Sequence, residues 1–109
     1  MPVINTRELR ENPEASEHFS SFGVFQRPTG GSIEPHFHDC DEWWIIIRGH
    51  ALAVTEGVEY EVSEGDMVFT PMGEDHEVKE VYRDLEGVYL EGPLQGRKRR
   101  GHLHHPDDD

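Results

Sequence analysis

The sequence predicts an all-β protein, an antiparallel sandwich or barrel, and three observations support this. Short segments rich in valine, isoleucine and aromatic residues recur at regular spacing over most of the 109 residues. Glycine and proline turns separate these segments, and almost none has helical periodicity. The chain is also long enough for one hydrophobic core but not for two.

The elements of this fold follow one another from the N-terminus. In an N-terminal segment, residues 1–21, one short helix is predicted over residues 5–12, with Asn5 as its cap and Pro13 as its end. The barrel is expected over residues 22–94. Its predicted strands are one from Phe22 to just before Pro28, followed by residues 43–48, 51–55, 58–62, 67–70, 76–82 and 86–90.

Two turns and the tail complete this outline. Gly49 is expected to stop the strand before it, and Glu56-Gly57 is a two-residue hairpin signal. The polar tail, residues 95–109, is expected to be mobile or loosely docked. Its histidines, His102, His104 and His105, could bind a second metal, fold over a pocket, or remain solvated.

The charge of the chain argues against several partners. Lys and Arg total 10 against 23 Asp and Glu, a formal net charge of −13. Proteins bind nucleic acid and anionic membranes through Lys and Arg, so we expect neither as a partner. No apolar run approaches the roughly 20 residues of a membrane span, and the N-terminal stretch MPVINTRELRENPEAS lacks the apolar core of a signal peptide. We therefore expect a cytoplasmic protein.

The stretch HFHDCDEWW, residues 36–44, is either a metal site or a polar turn between two strands. His36 and His38 are two residues apart, so on a strand both side chains face the same side. Glu42 begins the next apolar strand, where it could return beside them, and His76 begins a later strand. Three neutral imidazoles and one carboxylate suit a single divalent transition metal ion, with positions left for water or substrate.

These residues also lie in two motifs through which the chain resembles the cupin superfamily, in particular its small single-domain members. The first motif, G(X)5HXH(X)3–4E(X)6G, runs from Gly30 to Gly49, and the second, G(X)5PXG(X)2H(X)3N, begins at Gly65 and includes His76. Glu80 replaces the final asparagine. The resemblance implies a double-stranded β-helix, or jelly-roll barrel. It also implies one divalent ion, such as iron, manganese, nickel or zinc, held by His36, His38, Glu42 and His76.

The residues around this site are assigned from the alternation of side chains along a strand, in which every second residue shares a face. Glu80 and Tyr82 share the face of His76, so both are expected inside the barrel as acid or base candidates. Arg48 is either an anchor for a substrate carboxylate or phosphate, or a plain strand end. The expected pocket residues are Trp44, Ile46, Arg48, Phe69 and Val78.

The other face of the strand that begins at Glu42 is also apolar. Trp43, Ile45 and Ile47 are expected to point away from the metal, where something must cover them. A second copy of the chain is the favoured cover, as the resemblance also implies, and the N-terminal segment is the alternative. We therefore expect a homodimer.

Three functions are compatible with this site. The favoured one is a metal-dependent enzyme acting on a small oxygenated molecule, of dioxygenase, decarboxylase or isomerase type, in which the metal holds adjacent substrate oxygens. The second is a non-catalytic module that binds or senses a small ligand. The third is a protein whose metal is structural, and the fold by itself does not choose among them.

Overall fold

The structure, a computed structural model, describes residues 3–96 and 100–104. Within these ranges, no helix is long and apolar enough to cross a membrane. The elements are α1 (Thr6–Leu9), α2 (Pro13–Ser16), β1 (Ser21–Arg27), β2 (Ile33–His36), β3 (Glu42–Thr55), β4 (Val58–Ser63), β5 (Met67–Thr70) and β6 (His76–Glu91).

The N-terminal segment contains two short helices where one was expected. Asn5 caps α1 as predicted, since its side chain accepts a hydrogen bond from the Glu8 N–H at 2.9 Å. However, Pro13 does not end this helix. It begins α2, where proline is favoured because the first helical N–H has no partner, and Asn12 caps that helix.

The strands form one antiparallel system with the order β1-β6-β3-β4, in which β2 also pairs with β6 and β5 with β3. The all-β, jelly-roll class predicted from the sequence is confirmed. The hairpin at Glu56-Gly57 is confirmed too: β3 ends at Thr55, β4 begins at Val58, and both turn residues have positive φ. Such dihedrals suit a tight two-residue turn.

Gly49 lies inside a strand, and the expectation that it stops one was wrong. β3 continues from Glu42 to Thr55, with register shifts against β6 on both sides of Gly49. Gly49 has φ 102°, and a Cβ there would collide with the Asp84 carbonyl, so the position needs glycine. β6 is likewise one strand where two were predicted.

A second irregularity in β6 reverses which residues face inward. Leu52 lies opposite Glu80, whereas the next residue of β3, Ala53, lies opposite Val78. One extra residue is therefore accommodated in β6 between these pairs, as in a β-bulge. Accordingly Val78 and Val81, three apart in sequence, are both 1% exposed.

The inner faces of the strands form the core. Its buried members are Trp44, Ile46, Ala51, Ala53, Val62, Val78, Val81 and Leu85.

The outer face of the β1-β6-β3-β5 sheet carries two apolar rows. Residues directly opposite each other on paired strands share a face. The pairings define one row of Phe22, Leu90, Trp43 and Phe69, and a second row of Val24, Val88, Ile45 and Met67.

This outer face is only partly covered. Phe19 of the N-terminal segment packs edge-on against Trp43, with ring centroids 6.4 Å apart. Val24 and Met67 remain 62% and 60% exposed, and Ile47 is also exposed. The N-terminal segment thus covers one end of the face and leaves the rest accessible.

Candidate metal centre

Four residues converge inside the barrel, three from the stretch 36–44 and one, His76, from a later strand. His36, His38, Glu42 and His76 each offer one ligand atom, and these atoms all lie within 4.8 Å of one another. All four residues are buried, none being more than 5% exposed.

The strands explain this convergence. His36 ends β2 directly opposite His76, the first residue of β6. Glu42 begins β3, and His38 lies in the loop between β2 and β3. The His38 carbonyl accepts a hydrogen bond from the Gly73 N–H at 3.0 Å, which ties this loop to the turn before β6.

Hydrogen bonds orient two of the side chains. His36 Nδ1 lies 2.8 Å from the Glu34 carbonyl, so this nitrogen donates and Nε2 keeps its lone pair. Trp44 donates its indole N–H to Glu42 Oε1 at 2.8 Å, and its ring meets that of His76 edge-on.

Several nitrogen atoms in this cluster have no hydrogen-bond partner among the described residues. These are His38 Nε2 and both ring nitrogens of His76, all buried. His38 Nε2 and His76 Nε2 do lie 3.3 Å and 2.9 Å from oxygens of Glu42, but without the direction of a hydrogen bond. Buried polar atoms without partners are costly, and a divalent ion would satisfy one such nitrogen on each of the two histidines. The donor set therefore fits a transition metal ion.

The charge states also suit metal binding. Burial lowers the pKa of His36 from 6.5 to about 4, against the opposing effect of the Glu34 hydrogen bond. Burial likewise lowers the pKa of His38, although the Glu42 charge acts in the opposite direction. Burial alone would raise the pKa of Glu42, but the contacts with His76, His38 and Trp44 outweigh it, so this pKa is lowered. At neutral pH, His36 and His38 are neutral and Glu42 is ionised, as metal ligands must be.

A cavity of about 270 Å³ adjoins the cluster. Apolar and aromatic side chains form much of its wall. The wall also contains one arginine and, in addition to Glu42, a second carboxylate. The residues that line it are Phe25, Arg27, Ile33, His36, Glu42, Trp44, Tyr89, Glu91 and His102.

Of the expected pocket residues, Trp44 lines this cavity and the others do not. Ile46 and Val78 face inward and are each 1% exposed, yet they belong to the hydrophobic core. Phe69 lies on the outer face, stacked on Trp43 with ring centroids 5.3 Å apart, because it pairs directly with that outward residue.

Arg48 does not reach the cavity either. Its side chain is 64% exposed and forms an ion pair with Glu86, with Nη2 3.1 Å from Oε2. The register shift between Ile46 and Arg48 turns Arg48 out of the face that Trp44 and Ile46 share. Of the two interpretations of Arg48, the structure favours the strand end.

The expectation that Glu80 and Tyr82 face the metal was wrong. Both are exposed, and Tyr82 packs against His50, with ring centroids 5.0 Å apart. The bulge in β6 is the physical reason, because one extra residue after Val78 reverses the alternation for the residues that follow.

Glu91 is a cavity residue that the sequence did not suggest. It is 2% exposed, lies directly opposite Glu42, and places Oε1 3.7 Å from His38 Nδ1. The last predicted strand ended at Leu90, one residue short. A carboxylate just before Gly92-Pro93, at the end of an apolar strand, was the available signal.

Two glycines make room for the aromatic walls of the cavity. A Cβ on Gly23 would lie 2.7 Å from the Tyr89 ring, and one on Gly87 would lie 2.5 Å from the Phe25 ring. Real Cβ atoms do not approach so closely. Tyr89 and Phe25 therefore occupy space that only glycine leaves free.

The sequence of this chain matches a known protein family. A family model described as a cupin domain matches residues 23–90, more than half of the chain. The chain therefore belongs to the cupin family. A protein of Sinorhizobium fredii (strain NBRC 101917 / NGR234), named uncharacterized protein y4oW, is 45% identical over 76 residues, which are 70% of this chain and 35% of that protein. The chain thus spans about a third of the length of this relative.

Solved structures share the fold at lower identity. A predicted oxalate decarboxylase from Thermotoga maritima aligns with a TM-score of 0.69 and 22% identity, covering 84% of this chain and 76% of that one. The DMSP lyase DddQ from Ruegeria pomeroyi DSS-3 aligns with a TM-score of 0.71 and 23% identity, covering 85% of this chain and 46% of that one. At these identities the likeness shows the fold alone.

Proposed function

We propose that this protein is a mononuclear metal-dependent cupin enzyme that acts on a small oxygenated molecule bearing a carboxylate. The observation that carries the proposal is the buried cluster of His36, His38, Glu42 and His76, in which several nitrogens have no hydrogen-bond partner among the described residues. Two members of the cluster, His36 and Glu42, line a cavity of about 270 Å³. A bound divalent ion would polarise adjacent oxygens of such a ligand.

The cavity wall suits a small carbon skeleton with one anionic end. Phe25, Ile33 and Trp44 supply apolar surface. The Arg27 guanidinium donates to the carbonyls of Gln26 at 2.7 Å and Ser32 at 3.3 Å, and it forms no ion pair with a carboxylate of the described residues. Its charge is therefore available, and a planar guanidinium is well suited to a carboxylate. Arg27 takes the anchoring role that the sequence had suggested for Arg48.

Glu91 and Tyr89 are the acid or base candidates of this site, in place of Glu80 and Tyr82. Both line the cavity, whereas the other pair is exposed on the outer face. Glu91 is close to His38 and opposite Glu42, so a ligand held at the cluster would lie within reach of its carboxylate. The decarboxylase and isomerase types both need such a group to move a proton.

The name of one structurally similar protein supports a small carboxylate as the ligand. It is named a predicted oxalate decarboxylase, and oxalate is a small dicarboxylate. Because the likeness is one of fold, this supports the class of ligand and does not select the reaction.

The first experiment is elemental analysis of protein purified without an affinity tag. We expect about one equivalent of a transition metal, lost in His76→Ala and kept in the control His50→Ala, whose imidazole lies outside the cluster. Product formation and oxygen uptake are then measured with small hydroxy, oxo and dicarboxylic acids. Turnover that His76→Ala abolishes would support the enzyme. Saturable binding without turnover would replace it with the ligand-sensing alternative, and failure to bind any metal would overturn the proposal.

A further inference from the structure

Residues 100–104, here called the C-terminal strap, are docked beside the chain segment that carries His36 and His38. Phe37 and Leu103 form an antiparallel bridge with two backbone hydrogen bonds of 2.9 Å. His104 Nδ1 lies 2.8 Å from the Pro35 carbonyl, to which it donates. The strap is thus held by backbone pairing and by a side chain.

An ion pair fixes the start of the strap. Arg100 donates to both carboxylate oxygens of Asp39, with 2.6 Å between Nε and Oδ2. Such two-point arginine–carboxylate pairs restrain orientation as well as distance. Because Asp39 follows His38 directly, the pair restrains the loop that positions this histidine.

The strap also touches the cluster itself. Gly101 and His38 line the same small cavity. The His102 ring stacks on the His36 ring, with centroids 4.1 Å apart and planes 26° from parallel.

We propose that the C-terminal strap is a positioning element of the metal centre: His102 orients His36, and the Arg100–Asp39 pair holds the loop that carries His38. This inference rests on the proposed metal site. His102 is not one of the residues whose ligand atoms lie within 4.8 Å of one another, so its role is to hold the ring of His36. Partners that orient ligand histidines typically change metal affinity by about 10- to 100-fold.

The test measures Co²⁺ affinity by chelator competition and records the visible absorption of the bound Co²⁺ in full-length variants. His102→Ala removes the stacked ring, whereas His102→Phe keeps an aromatic ring without nitrogen. Arg100→Gln weakens the clamp on Asp39 without touching the cluster, and His18→Ala is a matched control at an exposed histidine. We expect about 10-fold weaker binding and an altered spectrum for His102→Ala, near-parent affinity for His102→Phe, and a smaller loss for Arg100→Gln.

The outcomes separate this inference from the proposed function. Parent-like affinity and spectrum in His102→Ala, with one Co²⁺ bound by the parent, would overturn the positioning role and leave the metal site standing. Equal losses in His102→Ala and His102→Phe would overturn it as well, since the nitrogen and not the stacked ring would then matter. A parent protein that binds no Co²⁺ would overturn the metal site, and the strap's role with it. Melting temperatures of all variants verify that each one folds.

Discussion

Trp44 donates its indole N–H to Glu42 Oε1 across 2.8 Å, from a position two residues further along the same strand. Side chains two apart on a strand face the same side, so β3 supplies both the carboxylate of the cluster and the donor that orients it. The neighbouring Trp43 faces the opposite side and packs against Phe19 and Phe69. The two tryptophans therefore offer a matched pair for mutation.

Trp44→Phe should weaken metal binding by about 10-fold, because it removes a hydrogen bond that orients a ligand carboxylate. Trp43→Phe should lower the melting temperature somewhat and leave metal affinity within about 2-fold, since it changes only outer packing. Chelator competition with Co²⁺ measures both variants. Equal metal affinities in the two would argue against the role assigned to the Glu42–Trp44 bond.

Arg27→Gln should weaken the binding of a small 2-oxo acid to the metal-loaded protein. With pyruvate as the probe, we expect a dissociation constant about 10-fold higher, since hydrogen bonds to a charged group contribute about 1.5–3 kcal/mol. Arg48→Gln is the control, because Arg48 is exposed and paired with Glu86. Calorimetric titration of both variants, with metal content verified, tests this. An unchanged dissociation constant in Arg27→Gln would contradict the anchoring role proposed for Arg27.

The metal-free protein should lose stability in acid. The lowered pKa values of His36, about 4, and of His38 mean that the unfolded chain, with histidine near 6.5, binds more protons than the folded chain. Stability is therefore highest above pH 6.5 and falls as the pH decreases from 6.5 towards 4. The lowered pKa of Glu42 acts in the same direction at the acidic end.

Thermal unfolding followed by circular dichroism at several pH values between 7.5 and 4 measures this loss. His36→Gln should show a smaller decrease, because it lacks one of the groups that resist protonation in the folded state. A melting temperature that is constant or increases between pH 6.5 and 4.5 would contradict the assigned burial of these histidines.

The outer apolar rows favour association of two copies, which we propose as the solution state. Val24 and Met67 lie at the two ends of one row that crosses four strands and are largely exposed. Met67→Glu should shift the protein from dimer to monomer in sedimentation velocity without loss of metal, because a buried unpaired charge at an interface is costly. Val58→Glu, an equally apolar exposed position on β4 outside these rows, is the control. A monomeric parent would contradict the dimer.

The sequence was informative wherever a feature depends on local spacing. The turn at Glu56-Gly57 and the cap at Asn5 depend on a few adjacent residues, and both were predicted correctly. The convergence of His36, His38, Glu42 and His76 was expected from strand periodicity and from the motif spacing, and the structure brings them together.

The sequence was misleading wherever the alternation of strand residues is interrupted. The bulge after Val78 places Glu80 and Tyr82 outside, and the register shift between Ile46 and Arg48 does the same for Arg48. No composition rule gives the position of a bulge, since it depends on pairing with a distant strand. The docking of the strap is non-local for the same reason: Leu103 pairs with Phe37, far away in sequence.

The glycines at 23 and 87 have a consequence for how this cavity could change during evolution. Tyr89 and Phe25 form its wall only because the facing residue of the neighbouring strand has no side chain. A single added methyl group at either glycine would push an aromatic ring towards the cavity and reshape it, while every residue of the His36, His38, Glu42 and His76 cluster stayed in place. Descendants of this chain can therefore come to bind different small molecules through substitutions on β1 and β6, without any change in the four-residue cluster.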